Sequence, residues 1–229
     1  MRRAVALDRL ERTDDAITEL HRVATARPQA AQPHMRLGDI LRARNRWAEA
    51  ASAYDAAVSR LGAPITSDWS LFYARGIAQE RSGRWPLAEA DFRRALELNP
   101  EQPYVLNYLG YTWVELGQNL VEARAMLERA VALRPNDGNI ADSLGWALYK
   151  LDDMPGAIRW LERAVELEPR SSVINDHLGD AYWRAGRQPE AQVQWRRALS
   201  LDPEPGDGPR IEAKLRDGLP PQPATQAQR

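Results

Sequence analysis

Proline recurs along this chain at a nearly fixed interval. Pro28, Pro64, Pro100, Pro135, Pro169 and Pro203 are separated by 36, 36, 35, 34 and 34 residues. A helix cannot run through proline without losing a backbone hydrogen bond and clashing with the preceding turn, so each of these residues marks where a helix ends. A period of about 34 residues closing on proline belongs to stacked helix-turn-helix units, none of which can bury its apolar face alone. The chain is therefore expected to be all-α, a solenoid of stacked antiparallel helix pairs.

The residues between the prolines support this. Alanine stands twelve residues before the proline at Ala16, Ala88, Ala123, Ala157 and Ala191, with a bulky partner four residues later at Leu20, Phe92, Leu127, Leu161 and Trp195. Ala50, Tyr54 and Ala57 occupy the same places in the second unit, where Pro64 falls two residues late. Ala95, Ala130, Ala164 and Ala198 add a second small position. Small residues let two helices approach closely, and the bulky one fills the space between them.

The first helix of each unit has its own signature: Leu37-Gly38, Leu109-Gly110, Leu144-Gly145 and Leu178-Gly179, with Arg75-Gly76 as a variant. Glycine inside a helix costs about 1 kcal/mol relative to alanine, so its recurrence predicts tight helix contact. Leu41, Gln79, Trp113, Leu148 and Tyr182 follow on the same face, and all but Gln79 are suited to packing. Asn45, Gly83, Gly117, Asp152 and Gly186 then supply residue types that tolerate a left-handed turn. This arrangement resembles the tetratricopeptide repeat family. The resemblance covers residues 1 to about 203 and implies a right-handed superhelix whose concave wall is lined by the first helix of each unit.

On this ruler the units are 1–28 (partial), 29–64, 65–100, 101–135, 136–169 and 170–203, followed by a capping helix within 204–218 and a disordered tail, 219–229. The cap is expected over Arg210 to Asp217, after the turn-rich Pro205-Gly206-Asp207-Gly208-Pro209. Met1 stands inside what would be a first helix, so the sequence reads as the C-terminal part of a longer protein. Alternatively, Val5, Leu7 and Leu10 form an apolar edge for oligomer contact.

Several function classes are disfavoured. The net charge is −1, and arginine pairs such as Arg93-Arg94 and Arg196-Arg197 lie among carboxylates such as Asp91 and Glu97, which is not the basic stripe of a nucleic-acid footprint. His21, His34 and His177 are scattered, there is no cysteine, and neither a phosphate-binding glycine loop nor a nucleophile motif occurs. No enzyme activity, metal or cofactor is expected. An export signal in a preceding segment would place the protein in the periplasm or at the outer membrane; without one it would be cytoplasmic.

Positions on the first helices not used for packing are expected to face the groove. These are Tyr104, Asn107, Tyr108 and Tyr111 in the fourth unit and Asp142, Trp146 and Tyr149 in the fifth, with Asp176, His177, Asp180 and Trp183 in the sixth. Aromatic rings give rigid contact area and short polar groups can bind peptide backbone, although Tyr108, Trp113 and Tyr182 could equally fill space between units. Met35, Arg36, Asp39, Arg42, Tyr73, Ile77 and Glu80 form a less coherent set in units two and three. The lysine and asparagine pattern with which some repeats of this family clamp chaperone C-termini is absent. An acidic, aromatic wall predicts an apolar, aromatic or basic partner segment.

Residues 103 to 217 also resemble the C-terminal region of bacterial repeat proteins that include outer-membrane lipoprotein adaptors of a carboxyl-terminal processing protease. The expected function is a scaffold or adaptor that binds a partner segment in its groove. The competing expectation is a self-assembling structural protein whose ends or convex faces make the contacts.

Overall fold

The computed structural model describes residues 1–220. Among these the regular structure is helical: α1 (Arg2–Arg9), α2 (Thr13–Ala26), α3 (Gln32–Ala43), α4 (Trp47–Val58), α5 (Trp69–Arg81), α6 (Trp85–Leu98), α7 (Pro103–Leu116), α8 (Leu120–Leu133), α9 (Gly138–Lys150), α10 (Met154–Leu167), α11 (Ser172–Arg184), α12 (Gln188–Leu199) and α13 (Asp207–Asp217), with one 3-10 turn at Thr66–Asp68. None of these helices is long and apolar enough to cross a membrane. The described residues form two compact bodies, Met1–Val105 and the residues from Leu106 onward. Most of the expected disordered tail, residues 221–229, lies outside the described residues.

Each body is a stack of antiparallel helix pairs. Ala16, Ala50, Ala88, Ala123, Ala157 and Ala191 are completely buried, and beside them so are Leu20, Tyr54, Phe92, Leu127, Leu161 and Trp195, at 1% exposure or less. The helix glycines explain the close approach. A Cβ on Gly38 would lie 2.5 Å from the Tyr54 ring, one on Gly76 2.7 Å from Phe92, and one on Gly145 2.6 Å from Leu161. Gly179 abuts the indole of Trp195 in the same way.

The turn inside each pair is equally regular. Asn45, Gly83, Gly117, Asp152 and Gly186 have positive φ, as does Glu11, which the residue pattern did not single out. After each, an amide reaches five residues back: Arg46 to Leu41, Arg84 to Gln79, Gln118 to Trp113, Asp153 to Leu148 and Arg187 to Tyr182, all at 2.8–2.9 Å. This wide backbone bond satisfies a carbonyl that the helix end would otherwise leave without a partner. The extra residue between Gly110 and Ala123 is absorbed by a second left-handed position, Asn119.

Three details differ from expectation. Gln79 is buried at 4%, like its apolar counterparts, and its Oε1 has no partner. Asp91 is buried as well and receives a two-pronged hydrogen bond, both contacts at 2.6 Å, from Arg75, which also reaches Asp55. The Arg75 variant of the Leu-Gly signature thus ties α4, α5 and α6 together through charge. Third, α13 begins at Asp207, three residues earlier than expected, because Pro209 falls in its first turn, where a helix needs no amide donor.

Candidate functional site

In the second body, the first helices α7, α9 and α11 carry the residues expected on the recognition face, and α13 packs against the end of this stack. Asp142, Tyr149, Asp176, His177 and Asp180 are buried, while Tyr111, Trp146 and Trp183 are half-buried. Asn107 and Tyr108 are also half-buried, and the Asn107 Oδ1 has no hydrogen-bond partner. Tyr104 precedes this body and is 40% exposed.

Most of these polar groups are satisfied by the chain itself. Lys214 of α13 inserts its Nζ between two carboxylates and donates to Asp176 at 2.8 and 2.9 Å and to Asp180 at 2.7 and 2.8 Å. Arg210 adds a bond to Asp176 at 3.1 Å, and the Trp195 indole donates to Asp180 at 2.9 Å. Burial pushes the Asp180 carboxyl above its ordinary pKa, against the opposing pull of Lys214. One unit earlier in the same register, Asp142 meets His177 Nδ1 at 3.0 Å.

His177 is also stacked on Trp146, with ring centroids 4.1 Å apart, and Trp146 stacks on Tyr149 at 4.7 Å. Burial pulls the His177 imidazole down, but the carboxylates of Asp142, Asp180 and Asp176 outweigh it and hold the ring above its ordinary value. The Trp146 indole donates to Glu115 and carries Lys150 over its face. Gly218 covers Trp183: its φ is +74° and it has no room for a Cβ against that indole. An apolar, aromatic or basic partner segment was expected, the basic option resting on Asp142, Asp176 and Asp180. These are the carboxylates that His177, Arg210 and Lys214 already hold, so this face does not offer them to a partner.

A large open concavity lies in the first body. A cavity of about 1250 Å³ opens along α1, α3 and α5. Its apolar lining comes from Val5, Leu10, Met35, Leu71, Tyr73 and Ile77. Five arginines, Arg2, Arg9, Arg27, Arg36 and Arg42, stand around it with one carboxylate, Asp39. Met35, Arg36, Asp39, Arg42, Tyr73 and Ile77 were visible in the sequence as a less coherent set; the α1 residues complete them. Leu7, by contrast, turns away into the core, whereas Val5 and Leu10 are 39% and 68% exposed.

Among the described residues, no group of three or more His, Cys, Asp or Glu side chains could hold a metal ion.

Comparison with known proteins adds the family. The model of the tetratricopeptide repeat matches residues 1–64, 73–137 and 118–172. A TPR repeat-containing protein of Pseudomonas aeruginosa is 32% identical over 93 residues, a match covering 41% of this chain but only 16% of that protein. Among solved structures, a tetratricopeptide repeat protein from Parabacteroides merdae superposes with a TM-score of 0.77 at 16% identity, covering 94% of this chain and 83% of the other. YrrB, described as a TPR protein with an unusual peptide-binding site, gives a TM-score of 0.61 at 20% identity, covering 84% of this chain and 97% of its own. At these identities the solved structures show the fold. Repeats of this kind mediate protein-protein interaction, and the family match spans well over half of the sequence: the chain belongs to the tetratricopeptide repeat family.

Proposed function

We propose that this chain is a non-enzymatic interaction scaffold that binds a segment of a partner protein in the groove of its first body. One observation carries the reading. The carboxylates expected to recognise a partner on the second body are held by the chain's own His177, Arg210 and Lys214, whereas α1, α3 and α5 leave a largely apolar groove of about 1250 Å³ open. Open apolar concavities with a few convergent polar groups are the usual form of a binding site. The resemblance of residues 103 to 217 to lipoprotein adaptors supports an adaptor version, in which the bound segment belongs to a protease, to an envelope assembly or to a substrate of either.

The test is an unbiased selection of displayed random peptides on the 229-residue chain. Selected peptides should lose binding to Met35→Glu and Ile77→Glu variants and keep it with Trp146→Ala. Enrichment indifferent to both groove variants, with helicity intact by circular dichroism, would remove the groove from the mechanism.

A further inference from the structure

The groove of the first body carries a charge pattern that specifies its occupant; this inference rests on reading that groove as a peptide site. Many arginines elsewhere in the chain pair with carboxylates, as in Arg12 with Asp15, Arg22 with Glu19, Arg46 with Glu49 and Arg75 with Asp91. At the groove the balance is five guanidiniums to one carboxylate. That carboxylate is already engaged, because Asp39 accepts the Tyr54 hydroxyl at 3.0 Å and faces Arg36 at 3.4 Å. Arg2, Arg9, Arg27 and Arg42 have no carboxylate partner among the described residues.

Arg42 is the most specific of these. Its guanidinium stands beside the Tyr54 hydroxyl, but its Nε is buried and has no hydrogen-bond partner, although the residue lines the cavity. A buried donor without an acceptor is costly, the more so when it is charged, so such a group is poised for an incoming oxygen. The planar guanidinium fork matches a carboxylate in particular. The floor beside it is mainly aliphatic and so gives bases few rings to stack on, which favours protein over single-stranded nucleic acid.

We infer that this groove takes an acidic, apolar peptide segment, with aliphatic or aromatic side chains on the Met35, Leu71 and Ile77 floor and carboxylates on the arginine rim, one of them reaching Arg42.

The probes are three fluorescein-labelled peptides sharing one pattern of leucine and isoleucine, with every intervening position glutamate, glutamine or lysine. Binding to the full chain is read by anisotropy at about 50 and about 300 mM salt, which brackets the range where exposed charge is screened. The glutamate peptide should bind roughly tenfold tighter than the glutamine peptide and at least that much tighter than the lysine peptide, with a salt dependence confined to the glutamate form. Arg42→Gln should remove most of that advantage and leave the glutamine peptide unaffected. Arg9→Gln, on the exposed rim and away from the core, should act in the same direction.

Equal binding of the glutamate and glutamine peptides, both lost with Ile77→Glu, would overturn the charge assignment and leave the groove standing. Binding by none of the three that responds to Ile77→Glu would overturn both readings. Tighter binding of an oligouridine than of the glutamate peptide, or a concentration-dependent dimer abolished by Arg9→Gln, would assign the groove to RNA or to a second copy instead.

Discussion

Removing Lys214 tests the description of the second body most severely. Its Nζ lies within 2.9 Å of all four oxygens of Asp176 and Asp180, and the three side chains are each 9% exposed or less. A surface ion pair would contribute about 0–1 kcal/mol. Breaking a buried one leaves an uncompensated charge and costs about 3–5 kcal/mol. Lys214→Met keeps the length of the side chain but leaves two carboxylates facing each other. The visible loss has a ceiling, because α13 can detach once its docking no longer offsets the repulsion. Ile211, at 1% exposure, is its other anchor and contributes about 1.5–3 kcal/mol by burial.

The expected result is therefore a loss of about 3 kcal/mol in urea unfolding followed by tryptophan fluorescence, with amide exchange in α13 speeding up before the rest of the body. Adding Asp176→Asn and Asp180→Asn to Lys214→Met should recover most of the loss, since a neutral set no longer repels. A Lys214→Met loss below about 1 kcal/mol would mean that the site behaves as a hydrated surface pair, and the argument from burial would fail.

Other expectations follow from the same structure. Gly145→Ala places a methyl group 2.6 Å from Leu161, so overpacking of about 1–3 kcal/mol should exceed the roughly 1 kcal/mol helix-propensity gain; denaturant melts should show a net loss. Because the folded state holds His177 above its ordinary pKa, its contribution is fully present below the unfolded value near 6.5 and is lost as pH rises through the folded value. Stability measured across that window should thus fall with rising pH, and His177→Gln should flatten the slope there. Asp180, also raised, gives the same sign, but its window begins at the ordinary carboxylate value and should survive in that variant. In the groove of the first body, Met35→Glu should abolish peptide capture without changing the far-ultraviolet circular dichroism.

Much of the fold was legible because it depends on features that allow few substitutes. A positive φ admits few residue types, which is why Asn45, Gly83, Gly117, Asp152 and Gly186 could be read as turns. A glycine sixteen residues before a bulky side chain, as in Gly38 with Tyr54 or Gly179 with Trp195, records a steric contact directly. The site was less legible. Asp142 and Asp176 occupy a register open to the groove, but a residue's register does not reveal what the following element brings to it. His177 arrives from 35 residues away and Lys214 from 38. Nor could a charge count separate Asp91, buried against Arg75, from the exposed carboxylates around it. The cavity of the first body stayed indistinct for a related reason: its floor is assembled from three separate helices, each contributing only a few residues.

The Lys214 contact also bears on how copies of this protein could meet. Any helix pair that sought to continue the stack from α11 and α12 would have to take the place of α13, and so withdraw the only lysine within reach of two buried acids. An incoming neighbour would need a cation of its own at the corresponding position, in a space shaped around a single ammonium. The lysine thus holds α13 in place, and any contact that displaces α13 carries an electrostatic penalty that lateral or groove-mediated contacts avoid.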